Sequence, residues 1–291
     1  MRDIASGEDA QVAAVVETVR DVTPDILVLQ GFDWDYEGRA LAAFNAQLGG
    51  FYPHRLALKP NTGRMTQVDL NGDGRRFDPQ DAQGYGAFTG QAGMAVLSRY
   101  PIDAPKVQDF SDVLWRDLPE AQLPYKEGKP FPSAEAHSVQ RLSSVAHWVV
   151  PIDVPQIGRV SLLTWHGSTP AFDGPEDRNG RRGGDEARFW QVFLDGHFGA
   201  APDRRFVLAG VSNIDPSRGD GQRAVMAALL SDPRLLDPPG LRAATVKWAR
   251  TGPLRVSYIL PSKDWSVASS GITPENMTAS RHRLIWVELT P

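Results

Sequence analysis

Val12, Val15, Val16 and Val19 fall on one side of a 3.6-residue period, which predicts a helix over residues 10–22 closed by Pro24 just beyond it. The next run, residues 25–30, is apolar without alternation, as in a strand buried on both faces. The same order returns as a helix over residues 38–48 and a strand over residues 94–98. Further apolar runs predict strands at residues 143–150, 159–164, 206–209, 255–260 and 284–289, with helical spacing at residues 184–198 and 222–231. Strands joined partly by helices and partly by short loops imply an α/β fold: two stacked sheets flanked by helices. Its core strands are expected at residues 25–30, 94–98, 162–165, 206–209, 256–260 and 284–287. No internal repeat divides the 291 residues, so one domain over residues 1–291 is the economical reading.

Two segments break the pattern. Residues 60–91 form a long polar stretch rich in Gly, Asp and Gln, and loops of that length inside a domain are usually functional or clamped. Within it, Asp69, Asn71 and Asp73 followed by Gly74 match the opening of a calcium loop, where oxygens at alternate positions wrap Ca²⁺. The twelfth position is Gln80 and not a bidentate Glu, although Asp78 or Asp81 could substitute. A structural Ca²⁺ over residues 69–81 and an Asx-rich turn without an ion both fit. Residues 110–138 are Pro-rich and irregular.

Composition narrows the class. Hydrophobic residues make up 41% and charged residues 23%, as in a soluble globular protein, and no apolar run is long enough to span a bilayer. No charged region followed by an apolar one opens the chain, so no signal peptide is expected within it. The absence of cysteine excludes disulfides, thiolate metal sites and a cysteine nucleophile, and leaves the compartment open. A net charge of -4 disfavours nucleic acid as a partner.

Four segments in order resemble the signatures of the endonuclease/exonuclease/phosphatase (deoxyribonuclease-I-like) superfamily. They are Asp25-Ile-Leu-Val-Leu-Gln-Gly31-Phe-Asp33, Leu163-Thr-Trp-His166, and Val207-Leu-Ala-Gly210-Val211-Ser-Asn213. The fourth combines Ser257-Tyr258 with Ser280-Arg281-His282. Gly93-Met-Ala-Val-Leu-Ser98-Arg99 is similar to a further family strand, and the loop 174–182 to that of a bacterial subgroup. The resemblance implies a four-layer sandwich in which Gly31, His166, Asn213, Ser257 and His282 gather at the loop-side ends of the strands. It also implies that the family's first strand would precede Met1 and is lacking here.

Carried over residue by residue, the resemblance implies that His166, Asn213 and His282 keep catalytic positions. Gly31 and Arg281 stand where relatives carry the metal-binding Glu and Asp. Val211 stands where an Asp activates water, and Ser257 where an Asp orients the last His. A hard cation such as Mg²⁺ needs carboxylate oxygens that these residues do not offer, so no metal is expected in the cleft. The implied function is that of a catalytically degenerate family member, serving as an anion-binding or interaction module for a small phosphate-like or carboxylate ligand. Arg281 and Arg141 are its candidate anion-binding cations. Two alternatives stay open for them: Arg281 turned into solvent to pair with Asp215 or another loop acid, and Arg141 merely solvated. His166 and Asn213 also suit purely structural roles at strand ends. The rival reading is a Mg²⁺-dependent phosphoesterase that recruits Asp33, Asp35 or Asp215 as substitute acids; a third is a structural protein without a pocket ligand.

Overall fold

The computed structural model describes residues 2–291. Helices α1 (Arg2–Ser6) and α2 (Ala10–Val22) lead into strand β1 (Ile26–Phe32), followed by helix α3 (Arg39–Gln47) and strands β2 (His54–Leu56) and β3 (Gly93–Ser98). Short strands β4 (Gln108–Asp109), β5 (Tyr125–Lys126) and β6 (Lys129–Pro130) precede helix α4 (Ala134–Val139). Next come β7 (His147–Val154), β8 (Gly158–His166), α5 (Arg178–Leu194), β9 (Phe206–Val211) and α6 (Arg223–Leu230). The chain closes with β10 (Val246–Trp248), β11 (Gly252–Leu254), β12 (Ser257–Pro261), β13 (Ser266–Ile272) and β14 (Ile285–Thr290).

Five strands in the order β12-β9-β8-β7-β4 make one sheet, with β8 and β9 parallel and the other pairs antiparallel. Opposite it stand a three-stranded sheet, β1-β3-β2, and the pair β13-β14. Met94, Val96, Trp148, Val150 and Leu162 fill the space between the layers. α2 and α3 cover the outer face of the smaller sheet through Val16, Val19, Leu41 and Phe44 on Leu27 and Leu97. α5 and α6 cover the larger one through Phe189, Trp190, Phe193 and Met226. The result is helix, sheet, sheet, helix, the α/β sandwich that the patterning implies. β1 opens on an unbroken apolar run, residues 26–29, because Leu27 and Leu29 face helices while Ile26 and Val28 face the other sheet. Local chemistry sets the ends of α2: Asp9 Oδ1 accepts the Val12 N–H at 2.9 Å, and Thr23 turns left-handed just before Pro24.

Two expected starts move by four residues or more, for one reason. The helix expected over residues 184–198 spans Arg178–Leu194, so residues expected as loop form its first turns. The buried face of those turns is charged, with Arg178, Arg182, Asp185 and Glu186 inside, so no apolar period marks them. Glycine here is a packing requirement: a Cβ on Gly183 would lie 3.1 Å from the Ser168 carbonyl oxygen. The strand expected from residue 143 starts at His147, because Ser143 and Ser144 turn their main chain to those charges. Arg182 donates to the carbonyls of Leu142 (2.9 Å), Gln83 (2.5 Å), Arg141 (2.7 Å) and Ser143 (3.1 Å). Glu186 accepts from the N–H of Ser144 (2.6 Å), the Ser144 hydroxyl (2.6 Å) and the N–H of Ser168 (2.5 Å).

This buried network also clamps the long segment 60–91. Arg178 donates to the Leu70 carbonyl and Arg182 to that of Gln83, while Asn61 Nδ2 donates to the carbonyls of Ser111 at 2.7 Å and Ser143 at 2.8 Å. In the calcium-like turn, Asp69 accepts the N–H groups of Asn71 (3.2 Å), Gly72 (2.6 Å) and Gly74 (2.8 Å). Asn71 accepts from Asp73, and Asp73 from Arg75. Asp78 and Asp81 cap the turn that follows, and Asp81 also accepts the Leu70 N–H at 2.9 Å. Among the described residues, no group of three or more His, Asp or Glu side chains could hold a metal ion.

Candidate functional site

β8, β9 and β12 end in register, so His166, Val211 and Ser257 form one row across three neighbouring strands, with Val211 in the middle. Residues directly opposite one another in a sheet project to the same face. β1 ends above this row: Gln30 Nε2 donates to the Trp165 carbonyl at 3.4 Å, and Gly31 follows in a bulge at φ 72°. Past β9, Asn213 adopts φ 59° and its Nδ2 donates to the Gly167 carbonyl at 2.8 Å, tying the two loops together. His282 arrives on the segment before β14, with Nδ1 at 3.4 Å from the Ser257 hydroxyl. The five residues expected at one edge are gathered there.

The electrostatics differ from those of a metal-binding carboxylate cleft. Burial, with His282 nearby, pushes the His166 imidazole down to about 4, and its Nδ1 is buried without a hydrogen-bond partner. Burial likewise lowers His282. Both rings are therefore neutral near pH 7. Trp248 on β10 packs edge-on against His282 with centroids 5.7 Å apart, and the Arg281 guanidinium lies over the same indole at 5.5 Å. Trp248 escaped the sequence reading; its only signal is the Val246-Lys247-Trp248 alternation before the Gly252 turn.

The anion-binding and substitute-acid expectations need correction in part. Arg281 does not pair with Asp215. That carboxylate is occupied by the N–H groups of Arg255 (2.7 Å), Ser217 (2.8 Å) and Arg218 (3.0 Å) and by the Ser217 hydroxyl (2.9 Å). Arg141 is neither a free anion-binding cation nor a solvated one: it pairs with Asp112 and donates to Asn61 Oδ1 at 2.9 Å. Asp33 accepts the Ala92 N–H at 2.8 Å, and Asp35 accepts those of Arg39 (2.8 Å) and Ala40 (3.0 Å) at the start of α3. The residues present do not fit a divalent cation: Gly31 offers no side-chain ligand, Arg281 brings a positive charge, and the nearest acids hold main-chain donors.

A layered fold with His166, Asn213, Ser257 and His282 gathered at its strand ends defines the class, and the sequence matches the Endonuclease/Exonuclease/phosphatase family over residues 4–282. The chain belongs to that family. The endonuclease/exonuclease/phosphatase from Beutenbergia cavernae is 20% identical with a TM-score of 0.62; the match covers 97% of this chain and 66% of that one. Sphingomyelinase C from Streptomyces griseocarneus is 17% identical with a TM-score of 0.50, covering 96% of this chain and 88% of that one. The human Nocturnin catalytic domain with bound sulfate anion is 14% identical with a TM-score of 0.54, covering 97% and 86%. These likenesses establish the fold. A comparison with curated proteins finds none that matches. Among the described residues no helix is long and apolar enough to cross a membrane.

Proposed function

We propose that this chain is a catalytically degenerate member of the family, a binding module for a small phosphate-like or carboxylate anion. One observation carries the reading. The row His166, Val211, Ser257 holds no carboxylate, and Asp33, Asp35 and Asp215 are each engaged by main-chain N–H groups. An isopropyl group at Val211 neither accepts a proton nor positions water. Ser257 gives His282 no charge that would keep it protonated toward a transferring phosphoryl group. Two neutral imidazoles beside the exposed Arg281 guanidinium suit direct binding of an anion, the class of ion described in the human Nocturnin domain.

The test is hydrolysis of bis-(p-nitrophenyl) phosphate with Mg²⁺, Mn²⁺ or Ca²⁺ against a chelator, alongside calorimetric titration of inorganic phosphate. The expected result is no chelator-sensitive turnover, with phosphate binding lost in Arg281→Ala. Chelator-sensitive turnover that disappears in His166→Ala would instead establish the metal-dependent phosphoesterase. Restoring the acids as Gly31→Glu, Val211→Asp, Ser257→Asp and Arg281→Asp meets an obstacle at the first position. Gly31 sits at φ 72°, where a side chain costs on the order of 1 kcal/mol.

We also propose that the Asp69 turn is closed by its own main chain and needs no Ca²⁺. Calcium is then expected to leave the melting temperature unchanged, while Asp69→Ala lowers stability by about 0.5–1.5 kcal/mol, because the three N–H groups it frees lie where water can reach them. A melting temperature that climbs with calcium would assign an ion to the loop, since a ligand of the native state alone must stabilise it.

A further inference from the structure

The Asp69 turn holds an Asn-Gly pair, Asn71-Gly72. An asparagine followed by glycine can lose its side-chain amide by ring closure: the main-chain nitrogen of the glycine attacks Cγ, a five-membered imide forms, and ammonia leaves. Three requirements limit the reaction. The nitrogen must give up its proton, negative charge gathers on Oδ1 at the tetrahedral stage, and the reacting segment must be held in place.

Each requirement is met by a named group. Asp69 Oδ1 accepts the Gly72 N–H at 2.6 Å, within reach of a general base acting on the attacking nitrogen. The Asp73 N–H donates to Asn71 Oδ1 at 3.3 Å, on the oxygen where charge develops. The chain is fixed on both sides of the pair. Leu70 is fully buried, its N–H held by Asp81 at 2.9 Å and its carbonyl by Arg178. The Gly74 N–H is held by the other Asp69 oxygen at 2.8 Å. Gly72 sits at φ 79°, the left-handed region that favours glycine, so no side chain shields the attacking nitrogen. Asn71 is half-buried and residues 72–74 are exposed, which leaves a path for water and ammonia.

The chain contains a second Asn-Gly pair in a different setting. Asn179-Gly180 lies in the first turn of α5, where helical hydrogen bonds hold the main chain and Gly180 is buried. The Asn179 amide nitrogen donates to the Ala171 carbonyl at 2.7 Å, and among the described residues no N–H donates to its Oδ1.

We propose that Asn71 is a self-catalysed modification site, converted by its own turn to aspartate and isoaspartate. Asp69 takes the proton of Gly72, whose nitrogen bonds to Asn71 Cγ while the Asp73 N–H steadies the oxyanion. The bond from Cγ to the amide nitrogen then breaks, and ammonia leaves with the proton returned by Asp69. Water opens the imide at either carbonyl, so the sum is one water taken up and one ammonia released. Both products place a negative charge between Asp69 and Asp73. Isoaspartate also inserts a methylene into the main chain beside the Leu70 carbonyl that Arg178 holds, which loosens the clamp on residues 60–91. The site does not depend on what the cleft binds.

The test keeps the unaltered protein at neutral pH, folded in one sample and unfolded in guanidinium chloride in the other. Peptide mass spectrometry follows both Asn-Gly pairs, and enzymatic methylation counts isoaspartate. The expected result is that Asn71 is lost faster from the folded chain than from the unfolded one, and Asn179 more slowly. Asp69→Asn keeps an oxygen for the Gly72 N–H but removes the base. It should slow the loss of Asn71 about tenfold, less than a dedicated base contributes, because Asp69 is shared among three N–H groups. An Asn71 lost more slowly when folded, or at an unchanged rate in Asp69→Asn, would overturn the proposal. Should Asp69→Asn fail to fold, the comparison of folded and unfolded unaltered protein still decides.

Discussion

Arg182→Met is expected to cost about 3–5 kcal/mol of folding stability, the range for removing one partner from a buried charged arrangement. The Arg182 side chain is 5% exposed as a residue and serves four carbonyl oxygens, from Gln83, Arg141, Leu142 and Ser143. Methionine fills much of the same volume but leaves those acceptors without donors in the interior. Burial holds the Arg182 guanidinium down to about 10, with the Glu186 charge opposing the shift, so it stays charged near pH 7. Removing it strips Glu186 of the cation that offsets its own burial, which already raises that carboxyl. Urea unfolding measures the loss as a lower midpoint. Adding Glu186→Gln should recover part of it, because the two charges are coupled and their effects do not add. A loss below about 1 kcal/mol would mean that water replaces the guanidinium and that the clamp is not what holds the segment 60–91.

The same network shows why some of the fold was legible and some was not. β1, β3, β9 and β12 bury apolar runs, and their positions follow from hydrophobic pattern alone to within two residues at either end. The start of α5 hides because its inner face is Arg178, Arg182, Asp185 and Glu186, interrupted by glycines that read as breakers but sit at close approaches. At the site, His166, Asn213, Ser257 and His282 were legible through the family resemblance, whose motifs fall at strand ends that meet. Arg281 and Arg141 were not, since the partners of long cations are set by contacts far along the chain: Trp248 for one, Asp112 and Asn61 for the other. Trp248 belongs to a three-residue strand, too short to read from pattern, whose position is set by its pairing with β11 and by the bridge from Val246 to His282.

A stability that falls on the order of 3 kcal/mol between pH 7 and pH 4 through one residue, His147, is the second large effect expected. His147 is 0% exposed, ringed by Phe189 and Trp190, and burial pushes its imidazole down to about 4. The hydrogen bond to the Glu186 carbonyl opposes that shift, and the Arg182 charge adds to it. Nε2 lies 2.9 Å from that carbonyl oxygen and so carries the proton, leaving Nδ1 to accept from the Ser143 hydroxyl at 2.7 Å. The unfolded chain takes up a proton as pH drops through about 6.5, whereas the native state resists until about 4. The unfolded state therefore binds more protons in that window, and stability rises with pH across it. Glu186, whose buried carboxyl is raised, works in the opposite sense: its native form holds a proton where the unfolded chain has lost it, which favours the fold as pH falls. The two are separated by His147→Gln, whose amide can donate to the Glu186 carbonyl and accept from Ser143. Urea unfolding from pH 4 to pH 8 should show the slope reduced by about 1.4 kcal/mol per pH unit in the variant. Equal slopes in the two proteins would mean that His147 is already charged in the native state, with Ser143 accepting from it.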